Sequence, residues 1–337
     1  MRFAPLWVVV VAACGGKSPP PKAAEPAAPP PPLTEQEAQP REAPAKQSAP
    51  VAIAAPPPPP VTQMGSNPVL ANDLALLPVD SEMVLGFDLG RMRQSALWAQ
   101  FSPRFASKMG FLDEFTKTCG FDPLATMTTI AVGMKGMNGT PQGVFVVHGI
   151  PTAQLGACVP KLRTKVAKTK TKLTTDADTF TLAEADGRTT TFGFTDATTL
   201  LAVTGGKAEW TAAKAGNSAL PTSATFMDMF HLLSATDAGV VLANGQVLGK
   251  ASSMGVSLKA AFGSLDLTDH LTMDIRFRLA TPDEANQLAQ MMKSQTQSPQ
   301  VKQMFDRFDI TTERTDVRFQ IAMNATTLQM LVGMLGI

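Results

Sequence analysis

Leu271, Met273, Ile275, Phe277 and Leu279 alternate without a break with Thr272, Asp274, Arg276 and Arg278. Successive side chains on a strand point to opposite faces, so this run reads as a strand with one buried and one wet face. Strands of that kind belong to antiparallel sheets, because parallel sheets are covered on both faces and their strands are apolar throughout. Val317, Phe319, Ile321 and Met323 repeat the pattern. Between the two strands, Thr281-Pro282-Asp283-Glu284 supplies a capping residue, a proline at the first helical position and an acid three residues after the cap. A helix follows with Ala285, Leu288, Ala289 and Met292 as its apolar stripe. Asn324 caps a last helix with Leu328, Leu331, Val332 and Leu335 on one side.

The preceding stretch has the same ingredients. Leu76-Leu77-Pro78 opens it, and a strand at Met83-Val84-Leu85-Gly86-Phe87 follows. Leu97, Trp98 and Phe101 mark a helix. Ser102-Pro103 reads as the cap and first position of a second helix ending near Gly110, and a third runs to Gly120. Strands are expected near 128–134 and 143–148. Phe180 to Glu184 and Thr189 to Phe194 flank Asp186-Gly187, a tight hairpin signal, with Leu200 to Thr204 as a third strand. Leu220-Pro221 echoes Leu77-Pro78. The expectation is an α+β fold, antiparallel sheets covered on one face by helices, with halves at 69–216 and 217–337 built as a duplicated unit.

Residues 19–68 cannot join that fold. They hold 17 of the chain's 27 prolines, including Pro29-Pro30-Pro31-Pro32 and Pro56-Pro57-Pro58-Pro59-Pro60. Proline lacks an amide donor, and large apolar side chains are few, so no core can form. Such a segment is a spacer, reaching about 150 Å fully extended or about 40 Å as a coil.

Ahead of the spacer, Arg2 precedes the apolar run Leu6-Trp7-Val8-Val9-Val10-Val11-Ala12-Ala13, which is too short to span a membrane and ends at Cys14. Val11-Ala12-Ala13-Cys14 resembles the lipobox of bacterial lipoproteins. The resemblance implies removal of residues 1–13, a lipid on Cys14 and a linker over 14–68. It implies a protein anchored in the cell envelope, with Gly15 after the cysteine favouring the periplasmic side of the outer membrane. The Leu77-Pro78 opening, Phe87-Asp88-Leu89 and Cys119-Gly120-Phe121-Asp122-Pro123 resemble uncharacterised envelope lipoproteins of myxobacteria, which adds a location and no mechanism.

In an oxidising compartment the remaining cysteines, Cys119 and Cys158, are expected to form a disulfide. Closing a loop of roughly 40 residues contributes about 4 kcal/mol through the unfolded chain's lost entropy. Tyrosine is absent while Phe and Met number 18 each, so the core rests on phenylalanine and flexible methionine.

Charge excludes one class of partner. Residues 1–68 hold five basic and four acidic residues, leaving 24 of each in the remainder, whereas a nucleic-acid binder needs a basic excess. His148, His231 and His270 are the only histidines, and no Gly-x-Ser-x-Gly elbow accompanies them. No Cys-x-x-Cys or His-x-x-x-His spacing offers a metal site, and no cofactor motif is found. The most basic run contains Lys161, Lys165, Lys168 and Lys172. Read as a helix, it places these four on one face opposite Leu155, Val159, Leu162 and Val166. A solvated face is the default, and contact with anionic lipid or wall polymer the functional alternative.

The expectation is therefore a lipid-anchored envelope protein with a non-enzymatic binding or scaffolding domain. Its partners would be the membrane, through Cys14, and an envelope protein or wall polymer. A carboxylate-based hydrolase and a carrier of hydrophobic ligands are the alternatives. The first would show a pocket with paired acids, the second a dry cavity lined by Met and Phe.

Overall fold

The computed structural model describes residues 67–108, 110–167, 171–216, 219–245, 247–248, 257–296 and 305–335. Twelve strands form one sheet, and every neighbouring pair is antiparallel. They are β1 (Met83–Asp88), β2 (Thr129–Lys135), β3 (Gln142–His148), β4 (Lys172–Asp176), β5 (Thr179–Ala183) and β6 (Thr189–Phe194). Then come β7 (Thr199–Thr204), β8 (Gly239–Asn244), β9 (Leu258–Leu267), β10 (His270–Leu279), β11 (Arg307–Glu313) and β12 (Asp316–Asn324). Their order across the sheet is β11-β12-β10-β9-β8-β1-β2-β3-β7-β6-β5-β4. From the centre outward, β8-β9-β10-β12-β11 repeats the course of β1-β2-β3-β7-β6.

The helices are α1 (Pro68–Ala71), α2 (Leu89–Met92), α3 (Ala96–Lys108), α4 (Gly110–Cys119), α5 (Pro123–Thr126) and α6 (Thr152–Val166). They continue with α7 (Lys207–Lys214), α8 (Ala224–Phe230), α9 (Pro282–Thr296) and α10 (Ala325–Leu335). The fold is α+β, and each face of the sheet receives a different set of helices. On the first face, Val84, Val144, Val146, Leu201, Val203, Val240, Leu242 and Phe262 pack against Leu70, Leu74 and Leu77, Trp210 of α7, and Phe226, Met229 and Phe230 of α8. On the second, Leu155 of α6 packs with Ile150, Leu200, Phe115 and Phe192, and Ala285 and Ala289 of α9 pack with Leu279, Val317 and Phe319.

The register carries both faces across the whole width. One row of the second face runs Ile310, Phe319, Ile275, Gly263, Val241, Leu85, Val132, Phe145, Ala202, Phe192, Phe180, Thr175. The adjoining row of the first face runs Thr311, Arg318, Arg276, Phe262, Leu242, Val84, Gly133, Val144, Val203, Thr191, Thr181, Thr174. The first face is thus apolar in the middle and polar at both ends. At one end Arg318 pairs with Asp274, Arg276 with Glu313, and Arg278 with Asp316 and Asp228. Arg276 is 3% exposed, so its bond to Glu313 satisfies a charge held out of water.

Local signals set many boundaries. Thr281 Oγ1 accepts from the Glu284 amide, Glu284 accepts from the Ala280 amide, and Asn324 Oδ1 accepts from the Thr327 amide. Asp122 caps α5 through the Leu124 amide after Gly120, at φ 78°, closes α4. Two expectations need correction. No helix begins at Ser102-Pro103, because α3 runs through Pro103. α6 likewise continues through Pro160, with Leu155, Cys158 and Val159 buried. Tertiary packing outweighs the one backbone hydrogen bond each proline removes. The basic run is not one helix, since α6 ends at Val166 and Lys172 begins β4. There Thr171-Lys172-Leu173-Thr174-Thr175 has the β-branched content of a strand.

Close packing sets one sharp constraint. A Cβ on Gly193 would lie 2.5 Å from Trp210 Cζ2 and 2.8 Å from Cε2. Trp210 is 3% exposed, and its Nε1 donates to the Leu201 carbonyl at 3.0 Å, so the ring cannot swing away cheaply. Gly193→Ala should destabilise the fold by about 1–3 kcal/mol in urea unfolding followed by tryptophan fluorescence.

Candidate functional site

His148 ends β3, where an apolar strand meets the rim of the sheet, and Asp73 follows α1. The chain brings them together across 75 residues. His148 Nε2 lies 2.8 Å from Asp73 Oδ1, and Nδ1 lies 2.9 Å from Thr199 Oγ1 at the start of β7. Pro68, Val69, Asn72, Thr128, Thr129, Gly149 and Thr198 complete an open pocket of about 390 Å³ around the pair. Gly149, at φ 91°, is required by the turn, because a Cβ there would lie 2.3 Å from the Thr126 carbonyl oxygen.

The arrangement has the composition of an acid, a base and a hydroxyl, but not the accessibility. Asp73 is 2% and Thr199 4% exposed. Both imidazole nitrogens are engaged, so neither faces the pocket ready to take a proton from a bound molecule. In the neutral ring, Nε2–H donates to Asp73 and Nδ1 accepts from the Thr199 hydroxyl. In the cation, both nitrogens donate. What the geometry does is pin the segment after α1 onto β3.

The bond to Asp73 raises the His148 pKa above 6.5, burial opposes it, and the charges of Asp73 and Asp196 add to the increase. A folded-state pKa above the unfolded value stabilises the fold fully below about 6.5 and loses that contribution as pH rises through the folded value. His148→Gln should therefore cost most stability near pH 5.5 and progressively less toward pH 8, measured as the difference in urea midpoint from the parent at each pH.

Neither of the other histidines joins this site. His231 is the exposed C-cap residue of α8, and His270 starts β10 with Nδ1 3.6 Å from Asp306 Oδ2. No group of three or more metal-ligating side chains converges among the described residues. Cys119 and Cys158 form a disulfide with Cα atoms 4.8 Å apart, tying α4 to α6. Cys14 and Lys168 lie outside the described residues. Of the remaining lysines, Lys161 and Lys165 are on α6, where Lys165 pairs with Glu114, and Lys172 is on β4. Asp73 and Thr199 carry no local signal in the sequence; only the fold makes them partners of His148.

No known protein family and no curated protein matches this sequence. Among solved structures, the chain is similar to crystal forms I and III of TP0453. These superpose on 78% and 77% of this chain and on 97% of theirs, at 10% and 9% identity and TM-scores of 0.49 and 0.47. A likeness at that level assigns no function. No helix among the described residues is long and apolar enough to cross a membrane, which leaves strands undecided.

Proposed function

We propose that this is a lipid-anchored protein of the cell envelope whose α+β domain binds or scaffolds other envelope components. The observation that carries the reading is the way the chain enters its fold. Asn67, fully buried, donates from Nδ2 to the carbonyls of Ser234 and Asp237 at 2.7 and 3.1 Å, and its Oδ1 accepts from the Val69 amide at 3.0 Å. The next residues, Leu70 to Leu77, pack on the central strands. The chain enters at the middle of the sheet, and among the described residues the outer strands β4 and β11 each pair on one side only. The Pro-rich segment and the lipobox-like Val11-Ala12-Ala13-Cys14 supply spacer and anchor. A carboxylate-based hydrolase needs two acids in one pocket, whereas the pocket at His148 is lined by one, Asp73, already bonded to the imidazole.

Metabolic labelling with radioactive palmitate tests the anchor. The parent should carry label and sediment with membranes, while Cys14→Ser should be unlabelled and released. Label retained by the variant would refute it.

A further inference from the structure

We propose that a second copy of this chain docks on the β4 edge, continuing the sheet across a two-fold axis through Thr174. Among the described residues β4 pairs only with β5, and Lys172, Thr174, Thr175 and Asp176 are exposed. An unpaired edge is a template for another strand, and its own side chains decide which strand fits. Set antiparallel against itself about Thr174, β4 is self-complementary. Lys172 of each copy faces Asp176 of the other, Leu173 faces Thr175, and Thr174 faces its own counterpart.

The rest of the first face supports that register. Thr174 Oγ1 donates to the Thr181 carbonyl at 3.4 Å, and the Thr181 and Thr191 hydroxyls lie 3.0 Å apart. A Thr174–Thr174 contact would prolong this threonine row into the second copy, and threonine pairs across strands are favourable. Both Lys–Asp pairs would flank it on the same face, since alternate residues of a strand share a face. Lys172 makes no ion pair within the described chain, and Asp176, now bonded to Lys207, can accept from two cations.

The opposite edge lacks this freedom. β11 also begins with a cation and ends with an acid, but Arg307 is bonded to Asp309 and Gln320, and Glu313 to Arg276 with Arg318 at 3.6 Å. Among the described residues, both of its charged ends are engaged within the chain, whereas at β4 only Asp176 is. The contact therefore belongs to β4, and it closes as a dimer.

Cysteine cross-linking and sedimentation of the purified full-length chain test the proposal. Under mild oxidant, Thr174→Cys should give a disulfide-linked dimer, as should the Lys172→Cys/Asp176→Cys double variant, whereas Lys172→Cys alone should not. Lys172→Asp should weaken self-association at least about tenfold by setting like charges opposite each other. Adding Asp176→Lys to the same chain should restore it to within about threefold by the same pairing. Both positions are exposed, so the variants should fold, as far-UV circular dichroism will report. Equal cross-linking at positions 172 and 174, or a parent that stays monomeric at every concentration, would overturn the docking. Neither result bears on the lipid anchor, which the palmitate experiment reads separately.

Discussion

The contact of Leu70 with Gly86 is the packing on which the rest of this molecule depends. A Cβ on Gly86 would lie 2.7 Å from Leu70 Cγ and 2.9 Å from Val240 Cγ2. The bare backbone of β1 lets the segment after α1 settle into the seam where β1 meets β8. That seam is the only ladder joining the two groups of strands among the described residues, from Met83 opposite Ala243 to Phe87 opposite Gly239. With Leu70, Leu74 and Leu77 seated over it, the two groups share one buried core. A side chain at residue 86 would separate the layer from the sheet at its centre.

Around the seam the two groups answer each other. Leu77-Pro78 and Leu220-Pro221 lie side by side: the Leu220 amide donates to the Leu77 carbonyl at 2.8 Å, and Pro78 bridges Ala219. At the far ends, Leu173-Thr174-Thr175-Asp176 and Ile310-Thr311-Thr312-Glu313 each lead into a two-residue turn. The first residue of that turn has positive φ, 34° at Ala177 and 57° at Arg314. Non-glycine residues rarely hold that conformation, yet the two hairpins are not counterparts, since β11 corresponds to β6 and not to β4 in the repeated strand order.

What the sequence discloses is what short-range chemistry decides. Alternation from Leu271 to Leu279 separates the two faces of β10, although Arg276, on the face read as wet, is buried. Thr281-Pro282-Asp283-Glu284 starts α9, and Asp186-Gly187 turns β5 into β6 with Gly187 at φ 87°. The errors arise where two local rules compete. The helical lysine spacing that runs to Lys172 overlaps the β-branched Thr171-Lys172-Leu173-Thr174-Thr175, and from Lys172 onward pairing with β5 prevails. Pro103 and Pro160 look like boundaries only until the burial of their helices is known. His148 with Asp73 and Thr199 was beyond reach, since no periodicity links residues that far apart. The same holds for the β1–β8 seam.

Asn67 has a mechanical meaning. A pull arriving along the chain from the N-terminal side reaches the three hydrogen bonds of buried Asn67, then the buried leucines that clamp the seam. It does not reach a terminal strand, which could be unzipped one bond at a time. Load arriving there is shared by several buried contacts rather than carried by one strand.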